Sequence, residues 1–354
     1  MQSNRFLLYG ANGYTGELIA RYAAHYGLQP VLAGRDAKKI GVLAERLQLP
    51  SLVLDLNDRD ALFKNLKEFK VVLHAAGPFR YTAKQMVEAC IETGTHYLDI
   101  NGDISVFEFI KRYDEKAKQA NVMLMPGVGF DVVPTDCLSL LLKKALPDAV
   151  SLKLAFASLG GGLSHGTAVT MADKLGEGGA VRINGEIRNV PLGRHGMTID
   201  FGMKKLFVMS IPWGDVSTAY FTTGIPDIET YTGVPKNTYR MLKLQGLFNW
   251  ILRMQFVRNY IKKKIGQKPA GPSDERREKA IGFVWGEARN KAGKTVSARL
   301  TGPEGYTLTL HSSLIVIKKV LEGNVKTGYQ TPANVYGEDL VLEVPGMKRE
   351  WIVQ

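Results

Sequence analysis

The sequence has few of the features that build disulfide-stabilised, exported or membrane-spanning proteins. Its two cysteines, Cys90 and Cys137, belong to no CxxC pair and no His/Cys cluster, so we expect no disulfide framework and a reducing, cytoplasmic environment. The N-terminus lacks the basic, apolar and small-residue layout of a signal peptide. Apolar stretches such as Val122–Leu142 are interrupted by proline and aspartate, so we expect no transmembrane helix.

Signatures of hydrolases and metalloenzymes are missing as well. No Ser/His/Asp order, pair of catalytic carboxylates or metal-ligand spacing stands out in the sequence. These absences argue against both enzyme classes, and we expect no metal site.

An alternation of short β-rich runs with longer helix-compatible runs fills the first third of the chain. The predicted strands are Phe6–Tyr9, Pro30–Ala33, Ser51–Leu54, Val71–Ala75, Tyr97–Ile100 and Val122–Met125. The predicted helices between them are Tyr14–Tyr26, Ala37–Leu47, Asp58–Leu66, Thr82–Thr93 and Ile104–Ala120. This alternation predicts βαβ units around a parallel sheet. After Pro134 the pattern changes to Gly-rich loops and to alternating segments such as Val150–Ala155 and Tyr306–His311.

Two domains are predicted, because 354 residues exceed the size at which one hydrophobic core usually stops growing. We predict an α/β protein with a doubly wound, Rossmann-type parallel sheet and a second, mixed α/β domain. Residues 1–135 and 325–354 are assigned to the dinucleotide-binding domain, to which the C-terminal segment returns. Residues 136–324 are assigned to a domain for substrate binding and dimerisation.

A glycine-rich loop, Gly10–Gly16, follows the first predicted strand and opens the first predicted helix. In that context its three glycines are typical of a dinucleotide-binding turn, because side chains there would keep the backbone away from a pyrophosphate. A tight turn without a ligand is the alternative, and the surrounding βα pattern argues against it. The residues predicted to contact the nucleotide here are Gly10, Asn12, Gly13, Tyr14, Thr15 and Gly16.

The end of the second predicted strand distinguishes NAD from NADP. An acidic residue there would bind the ribose 2′-hydroxyl of NAD, but the sequence has Gly34 followed by Arg35. A guanidinium group offers charge-assisted donors to a 2′-phosphate, so we predict NADP(H) as the cofactor. Asp36 is interpreted as the N-cap of the following helix rather than as a ribose ligand, and Lys39 adds positive charge one turn on.

Further cofactor contacts are predicted at the ends of the third, fourth and fifth strands. Asp55 is placed to meet the adenine amino group, although a turn or cap role is equally compatible. Small residues after the fourth strand would let the backbone approach the nicotinamide ribose, the alternative being a tight turn alone. The candidates at these two later strand ends are Ala76, Gly77, Pro78, Phe79 and Gly102.

Together these motifs resemble the saccharopine dehydrogenase-like oxidoreductases. The matching residues are Gly10–Gly16, Ala33–Arg35, Ala75–Phe79, Thr95–Asp103, Gly127–Asp136, Gly166–Thr167, Ile211–Asp215 and Thr331–Ala333. Within that family the chain is most similar to a bacterial branch that includes trans-acting enoyl reductases of lipid and polyketide assembly. The resemblance implies an N-terminal Rossmann domain, a mixed α/β substrate domain and a C-terminal segment that returns to the first domain.

Four side chains are candidates for orienting the substrate or moving a proton. Asp131 lies in a Gly-rich loop and either orients or relays a proton, or caps the following helix. His165 and Thr167 can hydrogen-bond the substrate or the nicotinamide amide, although a lone loop histidine is more often solvated. Tyr220 can donate a proton, although an aromatic at an alternating strand position more often packs.

The net charge of +12 is concentrated in one segment. Residues 236–268, called the basic segment below, contain nine Lys and Arg residues and no Asp or Glu. Leu244, Leu247, Phe248, Ile251 and Met254 recur there at helical spacing. A core-facing helix with a solvated basic edge is the simpler interpretation. The alternative is a helix that rests on an anionic membrane or receives an acidic acyl-carrier partner.

Three functions compete. The leading hypothesis is NADPH-dependent reduction of a carbon–carbon double bond in a lipid or polyketide-like substrate. The first alternative is a C–N oxidoreductase acting on an imine or amino acid, as the resemblance to saccharopine dehydrogenases implies. The second is a non-catalytic NADP-binding scaffold on membranes or lipid bodies. A homodimer is compatible with each, and no nucleic-acid-binding module accompanies the basic charge.

The cofactor assignment generates a direct test. We expect Arg35→Asp to weaken NADPH binding more than NADH binding, because the lost guanidinium would donate to the 2′-phosphate, which NADH lacks. Fluorescence titration of both nucleotides measures this difference. Equal losses for the two would contradict the assignment.

Overall fold

A computed structural model describes residues 4–243 and 248–352. The strands are β1 (Arg5–Tyr9), β2 (Gln29–Gly34), β3 (Ser51–Val53), β4 (Val71–His74), β5 (His96–Asp99), β6 (Met123–Met125), β7 (Ala149–Leu159), β8 (Gly179–Ile183), β9 (Glu186–Val190), β10 (Gly196–Asp200), β11 (Lys205–Ser210), β12 (Asp227–Gly233), β13 (Ile281–Asn290), β14 (Thr295–Pro303), β15 (Gly328–Tyr329) and β16 (Lys348–Ile352). The helices are α1 (Tyr14–Tyr22), α2 (Ala37–Leu47), α3 (Arg59–Leu66), α4 (Phe79–Thr93), α5 (Ile104–Lys111), α6 (Asp114–Gln119), α7 (Val133–Ala145), α8 (His165–Asp173), α9 (Asp215–Thr223), α10 (Lys236–Lys243), α11 (Asn249–Leu252), α12 (Gln255–Ile265), α13 (Asp274–Lys279), α14 (Gly305–Leu321) and α15 (Pro332–Tyr336).

The chain forms two compact units. The first unit contains Met1–Val133 and Tyr306–Val335, and the second contains Pro134–Gly305 and Tyr336–Gln354. In the described part of the chain, no helix combines the length and apolar composition that crossing a bilayer requires.

The first unit is built on a parallel sheet whose strands are ordered β15-β6-β5-β4-β1-β2-β3. β1 lies between β2 and β4, so the strand order reverses there, which is the switch point at which doubly wound sheets bind ligands. The predicted Rossmann fold is confirmed, and β15 extends the six predicted strands by one.

Local sequence explains where the helices of this unit begin. The side chains of Asp36, Asp58 and Asp103 accept hydrogen bonds from the first turns of α2, α3 and α5. Such caps satisfy backbone N–H groups that have no partner inside the helix. The residues predicted as one helix, Ile104–Ala120, form α5 and α6 instead, with a break at Arg112 and Tyr113.

The second unit is built on a mixed sheet ordered β10-β11-β12-β7-β13-β14-β16, with the β8–β9 hairpin attached to β12. β12 and β7 are parallel, and the other neighbours on the path are antiparallel. On one face, Tyr231, Phe283 and Trp285 lie in an apolar cluster. On β13, Gly286 meets Leu138 and Leu142 of α7.

The C-terminal third differs from the sequence prediction in two ways. Tyr306–His311, whose alternation suggested a strand, lies in α14, which is buried on nearly all sides and therefore has no polar face to mark it as a helix. Residues 306–324 belong to the first unit rather than the second, whereas residues 336–352 belong to the second rather than the first. β16 is placed there because it pairs with β14.

The contact of Gly286 with α7 generates a stability prediction. A Cβ atom at Gly286 would lie 2.8 Å from a methyl carbon of the buried Leu142. We expect Gly286→Ala to lower the free energy of unfolding by about 1–3 kcal/mol through overpacking. Gly41→Ala is the control, because a Cβ atom there meets nothing within 4 Å and alanine favours a helix. Urea unfolding of both variants measures the effect, and a Gly286→Ala variant as stable as the wild type would contradict it.

Candidate nucleotide and catalytic site

The glycine-rich loop lies at the switch point of the first unit. The backbone nitrogens of Gly10 and Ala11 donate to the carbonyl oxygen of Ala33, at 2.8 and 3.2 Å, and so tie the loop to the end of β2. α1 begins at Tyr14 with Gly13 as its N-cap, and no described side chain caps this end. An uncapped helix N-terminus in a glycine turn is suited to an anionic ligand such as a pyrophosphate.

Glycine is required in this loop because neighbouring backbone leaves no room for side chains. A Cβ atom at Gly10 would lie 2.6 Å from the backbone nitrogen of Ala76, and Gly10 also has a φ of +86°. A Cβ atom at Gly16 would lie 2.4 Å from the carbonyl oxygen of Gly10. The loop therefore packs directly onto the turn after β4, and its surface is bare backbone of the kind that dinucleotides approach closely.

The end of β2 carries the predicted NADP determinant. Arg35 is exposed directly after Gly34, and a Cβ atom at Gly34 would lie 3.0 Å from Oδ1 of Asn12. Asp36 has the role predicted for it as the N-cap of α2, since Oδ1 accepts from the backbone nitrogen of Lys39 at 3.0 Å. That hydrogen bond lowers the pKa of Asp36. Lys39 Nζ lies 3.5 Å from the same carboxylate, so part of its charge is compensated locally.

Asp55 has a definite local role at the end of β3. Its Oδ1 accepts from the backbone nitrogen and the side-chain amide of Asn57, at 2.9 and 3.0 Å, so the turn role is present. Asp55 and Arg35 both act electrostatically on Tyr9 of β1. Burial chiefly, with the charge of Asp55, raises the pKa of Tyr9 to about 12, and Arg35 opposes this shift.

The turn after β4 approaches the glycine loop from the other side of the switch point. The backbone nitrogen of Ala75 donates to Tyr9 at 2.7 Å, and Thr82 Oγ1 donates to the carbonyl oxygen of Ala76 at 2.8 Å. Gly77 is exposed, Pro78 is the N-cap of α4, and Phe79 is its first residue. This turn is therefore held in place while keeping backbone accessible.

Asp131 and Gly102 lie together at the carboxyl end of β5. A Cβ atom at Gly102 would lie 2.4 Å from Oδ2 of Asp131, so the carboxylate sits against the glycine backbone. The structure thus brings a catalytic candidate to the loop in which a cofactor candidate was predicted. Asp131 is half-buried in the turn that precedes α7.

α14 holds the loop that carries Asp131. Thr309 Oγ1 accepts from the backbone nitrogen of Phe130 at 3.0 Å, and Ser312 Oγ donates to the carbonyl oxygen of Val128 at 2.7 Å. A Cβ atom at Gly129 would meet Thr309 at 2.8 Å. Polar residues from a distant part of the sequence thereby fix this loop, which explains why sequence analysis did not identify them.

A buried polar network lies below the same loops. The carboxylate of Asp99 accepts from the backbone nitrogens of Asn101 and Gly127, at 2.9 and 2.8 Å, and from Tyr97 Oη at 2.7 Å. Tyr97 Oη in turn lies 3.3 Å from Nδ1 of His74. One carboxylate therefore fixes the loops that follow β5 and β6.

Desolvation controls the charges in this network. Burial raises the pKa of Asp99 to about 6, against the opposing effect of its three hydrogen bonds. Burial lowers the pKa of His74 to about 3, so the imidazole is neutral at pH 7. The available sequence signal was an aspartate inside the otherwise apolar predicted strand Tyr97–Ile100, which is followed by Asn101-Gly102.

His165 and Thr167 lie in the second unit, at the start of α8 rather than in a loop. Nε2 of His165 lies 2.6 Å from the carbonyl oxygen of Lys268, and its backbone nitrogen donates to Ala270. The side chain of Ser164 caps α8 and lies 3.1 Å from Thr167 Oγ1. Both candidates therefore have local structural partners.

Tyr220 lies on helix α9, not on a strand, so the expectation of an alternating strand position is wrong. The guanidinium carbon of Arg182 lies 4.1 Å from the centre of its ring. Arg182 is held there by hydrogen bonds to the carbonyl oxygens of Val216 and Gly185, at 2.7 and 2.6 Å. This arrangement is a cation–π contact, which stabilises packing whether or not the hydroxyl acts on a substrate.

The geometry of the first unit agrees with comparisons to known sequences. The sequence model of the saccharopine dehydrogenase NADP binding domain matches residues 6–125. Residues 6–125 are an NADP-binding domain of the saccharopine dehydrogenase family. This domain contains the glycine loop, Arg35 and the turns after β3, β4 and β5, and the predicted family and NADP(H) cofactor are confirmed for it.

Individual relatives match the same part of the chain. A mouse saccharopine dehydrogenase-like oxidoreductase is 30% identical over 150 residues, covering 37% of this chain and 35% of the relative. A lipid droplet localized protein of Caenorhabditis elegans is 28% identical over 144 residues. A Mycobacterium tuberculosis protein described as a proposed trans-acting enoyl reductase is 29% identical over 182 residues, covering 48% of this chain and 43% of that protein. The chain thus spans about a third to two fifths of the length of these relatives.

A solved structure extends the fold comparison to the whole chain. Apo saccharopine dehydrogenase (L-Glu forming) from Saccharomyces cerevisiae superposes with a TM-score of 0.67, over 99% of this chain and 100% of that one. The sequence identity is 14%, so this likeness concerns the fold. It confirms the predicted combination of a Rossmann-type sheet with a mixed α/β unit.

The raised pKa of Asp99 has a consequence for stability. The carboxyl group of Asp99 keeps its proton up to about pH 6 in the folded protein, whereas it releases the proton near pH 3.8 in the unfolded chain. The stability that the protonated group contributes is therefore present below pH 4 and is lost as the pH rises to 6. We expect the difference in unfolding free energy between the wild type and Asp99→Asn to fall by about 2–3 kcal/mol over this range.

Urea unfolding of both proteins at pH 4, 5, 6 and 7 measures this difference. Burial also lowers the pKa values of His74 and His96, so both histidines reduce the free energy of unfolding as the pH falls. This effect is present in both proteins and therefore cancels in the difference between them. A difference that stays constant across the range would show that Asp99 is not the group responsible.

Proposed function

We propose that the protein is an NADP(H)-dependent oxidoreductase. The observation that carries the proposal is the bare glycine loop at the switch point, with Arg35 exposed at the end of the adjacent strand. The pyrophosphate would lie at the start of α1, and Arg35 would donate to the 2′-phosphate. When bound, the cofactor supplies or accepts the hydride.

The residues beyond β4, β5 and β6 would position the nicotinamide end. Ala76–Phe79 and Gly102 offer accessible backbone on the side of the switch point away from Arg35. Asp131, held against Gly102, would orient the bound groups or hold a proton at its carboxylate. We propose this role for Asp131 ahead of those for His165, Thr167 and Tyr220, because Asp131 lies against Gly102, a cofactor candidate.

We further propose reduction of a carbon–carbon double bond in a lipid or polyketide-type substrate. The relative described as a trans-acting enoyl reductase supports this choice, because its match extends beyond the NADP-binding domain to 48% of the chain. Other relatives are named saccharopine dehydrogenase-like oxidoreductases. Because of them, the substrate screen below also includes imines, the substrates of the C–N oxidoreductase alternative. A cytoplasmic location and a homodimer are part of the proposal.

A substrate screen tests these assignments. We expect NADPH oxidation, followed by the absorbance of NADPH, with enoyl thioesters or enones and not with cyclic imines. Turnover of imines alone would replace the leading hypothesis with C–N chemistry. Turnover of neither class, in a protein shown to bind NADPH, would support the non-catalytic scaffold.

Matched variants connect the turnover to the nucleotide site. Gly16→Val should abolish both NADPH binding and turnover, because its side chain would meet the carbonyl oxygen of Gly10. Gly41→Ala should leave both unchanged, since space is open at that position. Turnover that survives in a folded Gly16→Val variant would place the active nucleotide elsewhere.

A further inference from the structure

The basic segment is exposed to an unusual degree. Of its described residues, none in α10, α11 or α12 is buried. Phe248 of the predicted apolar stripe is 54% exposed, whereas Ile251 and Met254 are half-buried, so the core-facing helix stays a prediction. Leu244 and Leu247 lie outside the described residues.

α12 points Arg258 and Lys262 toward the protein. Arg258 Nη2 donates to the carbonyl oxygen of Leu175 at 2.7 Å, and Lys262 forms a salt bridge with Asp173, which is 4% exposed. Just before the helix, Arg253 Nε donates to the carbonyl oxygen of Gly176 at 2.8 Å. Three of the nine cations of the segment thus hold it to α8 and the turn after it.

The opposite face of α12 is aromatic. Phe256 and Tyr260 are one turn apart, and they precede Arg258 and Lys262, respectively, by two residues, about 200° around the helix. They are 69% and 62% exposed. The half-buried Val257 and Ile261 directly precede Arg258 and Lys262, so α12 keeps an aliphatic side toward the protein and exposes its aromatic side chains.

Exposed lysines share this aromatic face. Lys263 lies two turns after Phe256 and Lys264 one turn after Tyr260, with Nζ of Lys264 5.8 Å from the Tyr260 ring centre. Trp250 in α11 is 64% exposed, and Phe248 precedes it. α11 and α12 thus expose large aromatic side chains and cations, and the sequence from 231 to 273 contains no acidic residue.

We propose that this surface, formed by Phe248, Trp250, Phe256, Tyr260, Lys263 and Lys264, binds the surface of an anionic lipid bilayer. Tryptophan, tyrosine and phenylalanine are favoured at the depth of the lipid headgroups, and lysines beside them contact anionic headgroups. A second copy of the chain fits poorly, because a symmetric contact would bring like charges together. An acidic protein would match the lysines but would leave the exposed aromatic side chains to be covered. The proposal does not depend on the enzymatic activity.

Vesicle sedimentation of the full-length protein tests the proposal. The probes are phosphatidylcholine vesicles with and without phosphatidylglycerol. We expect binding to the anionic vesicles only, together with a blue shift of tryptophan fluorescence. Lys263→Glu with Lys264→Glu, and separately Trp250→Ser with Phe256→Ser, should each weaken this binding by about tenfold or more.

Matched controls separate the surface from general charge and apolarity. Lys64→Glu with Lys67→Glu makes the same charge change on exposed residues of the first unit, and Trp351→Ser removes an aromatic side chain that is 49% exposed. Both should bind vesicles as the wild type does, and NADPH binding should be retained in all variants as a check of folding.

Three results would overturn the proposal. The first is absence of wild-type binding to anionic vesicles, and the second is equal weakening by the controls. The third is a monomer–dimer equilibrium, measured by sedimentation velocity, that the surface variants shift while vesicle binding does not change. Binding to polyglutamate that the lysine variant abolishes and the aromatic variant leaves unchanged, without vesicle binding, would indicate an acidic protein partner instead.

Discussion

The packing of backbone on backbone between Gly10 and Ala76 is the constraint on which the first unit depends. These residues follow β1 and β4, the strands between which the sheet reverses its order, and a single added methyl group would separate them. The same closeness leaves peptide groups, rather than side chains, at the start of α1. Close packing and nucleotide binding therefore require glycine in the same loop. The loop that packs against Ala76 also presents the backbone N–H groups that would bind a pyrophosphate.

Sequence patterns predicted the first unit well because its signals are local. Each buried strand is short and apolar, and three of the helices begin at an aspartate cap, such as Asp36 for α2. The pattern failed for α14, where burial on nearly all sides removes the polar face that reveals a helix, and for β16, whose place depends on pairing with a strand about fifty residues earlier. Neither the burial of α14 nor the pairing partner of β16 can be predicted from a short stretch of neighbouring residues.

The candidate site shows the same division. Glycines and Arg35 could be identified from position after a strand, whereas Asp99, Thr309 and Ser312 act on backbone from other parts of the chain. Tyr220 was assigned to the wrong kind of element because its segment is short and rich in Thr and Ser. The inward use of Arg258 and Lys262, against a carbonyl oxygen and Asp173, could not be read from composition.

The path of the chain between the two units has a consequence for synthesis. The chain leaves the first unit at Val133, returns at Tyr306 and leaves again after Val335. A ribosome that has made the whole NADP-binding segment has therefore not yet made α14, whose Thr309 and Ser312 hold the loop bearing Asp131, nor β15 at the sheet edge. The nucleotide-binding unit can therefore reach its finished form only after strands β7–β14 of the other unit have been made.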